Sequence, residues 1–273
     1  MSHALRFVAN CSMLFTERPL LERPAAAKAA GFDVIELWWP WADQPVPADA
    51  DVDALIAAVE DAGVQLAGLN FFAGDLAGVD CGVLSIPSRS NQFRDNIDVT
   101  VDIGERLGTT AFNALYGNRV DDATPQEQDE LGAENLALAA RAAARIGATV
   151  LVEPVSGPKP YPLRTAADAV AVVDRVQASG SGNVGFLCDL FHLANNGDDV
   201  DAAVARYADR VAHVQVADAP GRGEPGSGTL PIDRWLGELE RRGYTGYVGL
   251  EYKPTTTTAE SLTWLPVSRR ASR

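Results

Sequence analysis

Short apolar runs recur along this chain, and most follow a helical stretch that ends in glycine. Ala29-Ala30-Gly31-Phe32 leads into Asp33-Val34-Ile35-Glu36-Leu37, and Asp61-Ala62-Gly63-Val64 leads into Gln65-Leu66-Ala67-Gly68-Leu69. The same junction returns at Arg106-Leu107-Gly108, Arg145-Ile146-Gly147 and Arg241-Arg242-Gly243. Glycine there reads as the left-handed residue that closes a helix and turns the chain into a strand. Arginine in the last helical turn complements the helix dipole. The apolar runs predict strands near residues 5–10, 33–38, 64–70, 110–115, 149–153, 184–189, 211–216 and 246–251. They lack strict alternation, as in Thr149-Val150-Leu151-Val152, which fits parallel strands covered on both faces.

Helices are expected between them, at 19–30, 51–62, 90–107, 165–178, 198–209 and 232–242. Pro24 blurs the start of the first. Another runs to Gly147 from Thr124-Pro125-Gln126-Glu127, which combines an N-cap, a proline at the first helical position and a capping-box glutamate. An eight-fold β-then-α alternation over about 250 residues predicts an α/β protein with a single (β/α)8 TIM barrel. A doubly wound sheet would need a glycine-rich loop after the first strand, and Asn10-Cys11-Ser12-Met13-Leu14-Phe15 has no glycine. The barrel is expected to occupy residues 1–258, with a tail at 259–273 that packs Trp264 and then frays. The longest loop, 72–89, has the length of a functional lid.

Charge narrows the partners. Lys and Arg number 23 against 37 Asp and Glu, a formal net charge of −14. Such a surface repels phosphate backbones, so nucleic acid and anionic membranes are not expected as partners. The three cysteines, Cys11, Cys81 and Cys188, have no Cys-x-x-Cys spacing. That argues against a disulfide framework or a zinc–thiolate site and fits a reducing compartment. No basic segment followed by a clean apolar run opens the chain, and no stretch has the length of a membrane span, so the expected location is cytoplasmic. Nothing in the sequence opposes a homo-oligomer.

The candidate chemistry sits at strand ends. Glu153, Asp189, Gln215 and Glu251 close four successive apolar runs. A single carboxylate in such a place is commonly a solvated turn residue or a helix cap. Four at equivalent places converge on one face of a barrel, and carboxylates there are costly to desolvate without a shared cation. An all-oxygen set suits Mg²⁺ or Mn²⁺ better than zinc. His192, Arg222 and Lys253 lie just beyond these strand ends and could bind an anionic substrate; His192 reads equally well as a helix N-terminal hydrogen-bonder. Glu36, Asn70 and Asn113 end earlier strands and read as supporting residues, and His213 as structural, one layer below Gln215. Trp38, Trp39 and Trp41 are expected to wall a pocket. The glycine-rich stretch 221–228 lacks the Lys-Ser/Thr ending of a P-loop and reads as a flexible loop presenting Arg222.

Taken together, these motifs resemble the hydroxypyruvate isomerase family of the xylose-isomerase-like barrels. The resemblance rests on Glu153-Pro154, Asp189-Leu190-Phe191-His192, residues 213–218 with 220–228, and 249–254. Residues 7–15, 31–36 and 112–118 extend it over nearly the whole chain. It implies a metal held by Glu153, Asp189, Gln215 and Glu251, with Glu153 and Glu251 as the acid/base pair. It implies an aldose–ketose isomerase that interconverts hydroxypyruvate and tartronate semialdehyde, by metal-assisted proton transfer through an enediolate. His192, Arg222 and Lys253 would bind a small hydroxy- or keto-acid. Histidine often fills the third ligand position in the ketose epimerases of this superfamily; Gln215 stands there in this chain. A 2-oxo-tetronate isomerase or ketose 3-epimerase could use the same site. A metal-dependent phosphodiester hydrolase is disfavoured by only three histidines and the charge of −14.

Overall fold

Eight parallel strands close into a barrel in sequence order. The computed structural model describes residues 1–271. The strands are β1 (Phe7–Asn10), β2 (Val34–Leu37), β3 (Gln65–Asn70), β4 (Ala111–Asn113), β5 (Thr149–Val152), β6 (Val184–Asp189), β7 (Val211–Val216) and β8 (Val248–Leu250). Closure comes from β8 pairing back onto β1, with Phe7 opposite Val248 and Val8 opposite Gly249. All eight expected strands are present, each within the expected range. Parallel strands must return over the same face, and the intervening helices cover the barrel's outside.

Those helices are α1 (Arg23–Ala29), α2 (Asp49–Ala62), α3 (Ser90–Leu107), α4 (Pro125–Ala144), α5 (Ala166–Ala178), α6 (Leu190–Asn195), α7 (Val200–Tyr207), α8 (Ile232–Arg241) and the single turn α9 (Thr258–Ser261). Pro24 stands in the first turn of α1, where its missing N–H costs nothing. Thr124 and Glu127 form the expected capping box on α4, and Thr165 with Asp168 forms another on α5. Gly63 and Gly108 close α2 and α3 at φ 66° and 73°, a conformation glycine enters without steric cost. The short α6 follows β6 without a loop and was not expected from the apolar pattern, because six residues are too few to display a helical period.

The barrel interior holds polar residues as well as apolar ones. Glu36 of β2 reaches His213 Nε2 of β7 at 3.0 Å, both side chains largely hidden from solvent. Space for Glu36 is left by missing side chains: a Cβ on Gly249 would fall 1.9 Å from Glu36 Oε1, and one on Gly68 3.0 Å from Glu36 Oε2. Outside the strands a continuous apolar core fills the gap to the helices, including Phe32, Leu55, Phe112, Val150, Phe186 and Leu236.

The chain beyond α9 stays packed. Trp264 meets Phe7 edge-on at 5.4 Å, and Ala271 N donates to Phe7 O at 2.7 Å, so the tail lies against the start of β1. The expected fraying is not seen through Ala271, and residues 272–273 lie outside the described residues. No helix among the described residues is long and apolar enough to cross a membrane.

Candidate active site and metal centre

Because the strands run parallel, their C-terminal ends meet at one face, and the four strand-end residues meet there too. Glu153 follows β5, Asp189 ends β6, Gln215 lies next to last in β7, and Glu251 follows β8. Asp189 and Gln215 are direct register partners across β6 and β7. All four are buried. Glu153, Asp189, His192 and Glu251 each bring one ligand-type atom within 4.8 Å of the others.

Two oxygens in this group are left over. Asp189 Oδ1 caps α6 by accepting from His192 N at 2.8 Å, while its Oδ2 is buried without a hydrogen-bond partner. Gln215 Nε2 reaches Glu251 Oε1 at 3.5 Å, and Gln215 Oε1 is equally without a partner. Buried acceptors are rarely left unmade. Three carboxylates with a carboxamide oxygen form a hard, all-oxygen donor set, so these residues fit a divalent cation of the Mg²⁺ or Mn²⁺ type.

The two glutamates have unlike surroundings. Burial, then the nearby Glu251 and Asp189 charges, push the Glu153 carboxyl well above the usual range, while Asn113 Nδ2 donates to its Oε2 at 2.7 Å. Burial also raises Glu251, to about 7, but Arg222 opposes the shift. Arg222 Nη2 donates to Glu251 Oε2 at 2.5 Å, and Trp38 Nε1 donates to Oε1 at 2.5 Å.

His192 is fixed in one tautomer. The backbone N–H of Ser156 donates to its Nδ1 at 3.0 Å, which requires a lone pair there. Burial holds the ring neutral by pushing its pKa down to about 4. The remaining proton therefore sits on Nε2, 3.9 Å from Glu153 Oε1. That nitrogen is a donor aimed into the site, and it has no lone pair to offer a metal.

Arg222 is presented by a tightly bonded loop. It adopts φ 59°, a left-handed conformation costly for a side chain with a Cβ. The buried Asp218 holds the loop in place: Gly226 N donates to Oδ2 and Leu230 N to Oδ1, both at 2.9 Å. The guanidinium lies over the Phe191 ring, 5.5 Å from its centroid. Lys253 is not brought to the same place. Its backbone N–H donates to Arg222 O at 2.7 Å, and its side chain is exposed, away from the cavity lining. The strand ends at Leu250, so the two-residue alternation that turns Glu251 inward does not extend to Lys253.

A cavity of about 170 Å³ opens beside these groups. Glu153, Glu251, His192, Arg222 and Trp38 line it together with Asn70, and Leu76, Asp80 and Cys81 of the long loop form another wall. Trp38 thus walls the pocket as expected. Trp39 and Trp41 instead pack on one another at 5.1 Å, and Trp39 Nε1 donates to Gln44 O. Two contributors escaped the sequence reading. Lys159 lines the cavity from the loop after β5, and Tyr161 OH donates to Glu153 O at 3.0 Å. The Lys159-Pro160-Tyr161 segment carries no strand-end signal, so only its proximity to Glu153 in sequence could have drawn attention to it.

The family model described as "Xylose isomerase-like TIM barrel" matches residues 24–266. A Streptomyces coelicolor protein provisionally named hydroxypyruvate isomerase is 58% identical, over 98% of each chain. The Escherichia coli hydroxypyruvate isomerase is 31% identical, covering 96% of this chain and 98% of its own. A 2-oxo-tetronate isomerase from Cupriavidus necator is 32% identical, covering 95% of this chain and 97% of its own. Among solved structures, a Brucella melitensis protein described as an AP endonuclease of family 2 superposes with a TM-score of 0.84 at 32% identity, covering 95% and 97% of the two chains. With this barrel, this site and these relatives, the chain is an enzyme of the isomerase class and belongs to the hydroxypyruvate isomerase family of xylose isomerase-like TIM barrels.

Proposed function

We propose that this enzyme interconverts hydroxypyruvate and tartronate semialdehyde by moving a proton between adjacent carbons through an enediolate. The observation that carries the reading is the pair of buried carboxylates, Glu153 and Glu251, facing one small cavity from unlike environments. A proton shuttle of this kind needs one member ionised while the other is protonated. Arg222 favours the charge on Glu251, and Glu153 faces only neutral donors among its direct hydrogen bonds. Glu251 then takes a proton from the hydroxymethyl carbon of hydroxypyruvate, Glu153 delivers one to the neighbouring carbonyl carbon, and the hydroxyl proton passes from the first oxygen to the second as the carbonyl shifts. A divalent cation, Mg²⁺ or Mn²⁺, held by Glu153, Asp189, Gln215 and Glu251 would polarise the substrate oxygens and offset developing negative charge.

The protein's own groups do the rest. His192 Nε2–H points toward Glu153 across 3.9 Å, a gap a substrate oxygen can bridge. The 58% identity to the Streptomyces coelicolor protein supports the three-carbon substrate. The Cupriavidus necator relative favours 2-oxo-tetronate as the second reading, because its name specifies that acid at 32% identity over nearly the whole chain. A polynucleotide substrate is disfavoured by a small acidic cavity on a chain of net charge −14.

Incubation of hydroxypyruvate in deuterated water, followed by NMR, tests the reading. Deuterium should enter the carbon bearing the proton being moved, at a rate that tracks product formation. Glu251→Gln should keep the fold and abolish both signals; near-normal turnover in that variant would sink the assignment. Exchange into 2-oxo-tetronate alone would transfer the conclusion to the four-carbon acid.

A further inference from the structure

Two cations line the cavity, Arg222 and Lys159, and they are not equally free. Arg222 is committed to Glu251, through Nη2 at 2.5 Å to Oε2 and through Nε at 3.4 Å to the backbone oxygen. Lys159 is partly buried and carries no ion pair among the described residues. Its ammonium donates instead to two backbone carbonyls of the long loop, Asp80 O at 2.5 Å and Leu76 O at 3.2 Å. The Asp80 carboxylate is turned elsewhere, to Arg89 at 2.7 Å. A lysine ammonium has three donors, so one remains. Neutral carbonyls do not cancel its charge.

We propose that Lys159 binds the carboxylate of the substrate and thereby selects a 2-keto acid over a neutral ketose. This rests on the isomerase reading above and deepens it. Three carboxylates, Glu153, Asp189 and Glu251, crowd the reacting end of the site. An anionic substrate entering beside them needs a positive charge that is not already neutralised. Of the cations expected to serve, Lys253 is outside the lining and Arg222 is engaged. Lys159 is at the cavity, and its charge has no carboxylate partner among the described residues. Its two tethers also fix the long loop against the loop after β5, so its position does not depend on substrate being present.

Lys159→Gln tests this, because the amide keeps a donor for the loop carbonyls and removes the charge. With hydroxypyruvate, KM should rise about 100-fold while kcat stays within about five-fold. Dihydroxyacetone puts a neutral hydroxymethyl group where hydroxypyruvate has its carboxylate, and its kcat/KM should stay within about two-fold. Equal losses on both substrates would mean that Lys159 only supports the loop, and an unchanged KM for hydroxypyruvate would also overturn the proposal.

Calorimetry with glycerate, an unreactive three-carbon acid, separates this claim from the reaction itself. If the wild-type protein turns over neither compound, the isomerase reading fails, and glycerate decides the role of Lys159. Binding that is lost in Lys159→Gln and restored in Lys159→Arg supports the carboxylate site. Binding that is absent from the wild type, or unchanged in Lys159→Gln, overturns it.

Discussion

Arg222 holds Glu251 through a charge-assisted hydrogen bond of 2.5 Å, with Glu251 buried. Glu153, facing the same cavity, receives its 2.7 Å hydrogen bond from the neutral amide of Asn113. One catalytic candidate is thus partnered by a fixed cation and the other by a dipole. That difference separates two side chains of identical chemistry.

Glu153→Gln should lower turnover by about 10³-fold or more, because the amide cannot exchange the proton. The same change removes a buried carboxylate repelled by Glu251 and Asp189. The metal-free variant should therefore melt above the metal-free wild type at pH 8, in paired thermal scans. A lower melting temperature would show that Glu153 supports the fold without its metal.

Metal-free protein should lose stability as pH rises from about 5 to 8. Glu251 holds its proton up to about 7 in the folded chain, against 4.5 for an ordinary glutamate. Below 4.5 the folded and unfolded chains both carry that proton. Between the two values only the folded chain does, so the unfolded state binds fewer protons and stability falls with pH. Glu251 alone contributes about 3 kcal/mol to that fall. Glu153 is displaced in the same direction, while His192, lowered from 6.5 to about 4, gains stability up to pH 6.5 and offsets part of the fall there. Thermal midpoints across this range, in the presence of chelator, should drop by about 6–10 °C; a flat or rising profile refutes the electrostatic account.

Adding Mg²⁺ or Mn²⁺ at about 100 times its dissociation constant should stabilise the folded state by about 2.7 kcal/mol. That corresponds to about 5–10 °C in thermal midpoint. Asp189→Asn keeps an oxygen to cap α6 and loses the charge, so most of the shift should vanish. An undiminished metal response in that variant would remove Asp189 from the ligand set.

Gly249→Ala should destabilise the protein by about 2–4 kcal/mol, read from chemical denaturation. The added methyl would fall 1.9 Å from Glu36 Oε1 and 2.9 Å from Gln215 Cγ. Relief requires Glu36 to leave its 3.0 Å contact with His213 inside the barrel. A change below about 0.5 kcal/mol would mean that Glu36 can move without cost.

Much of this architecture was legible before any coordinates. The run Thr149-Val150-Leu151-Val152 became β5 with the expected residues, and Gly63 and Gly108 took the left-handed conformation their positions suggested. These features are local: helix caps, glycine closures and apolar runs depend on neighbours a few residues away. The α6 helix escaped because it is too short for a periodic signal and starts where β6 stops. Once the barrel was inferred, the convergence of Glu153, Asp189, Gln215 and Glu251 followed from strand direction alone, because parallel strands end on one face.

The sequence by itself determined which residues end the strands, and hence which carboxylates share a face. Only the tertiary structure decided what each of them touches. Trp38 reaches Glu251 across 213 positions, and Lys159 reaches Asp80 across 79. Lys253, two residues from Glu251, turns away because the strand has already ended at Leu250. Strand pairing propagates a two-residue alternation that sequence displays, whereas loop side chains are placed by distant contacts that no local pattern records. The tautomer of His192 is of that second kind, set by a Ser156 N–H that the pairing of β5 with β6 brings to its ring.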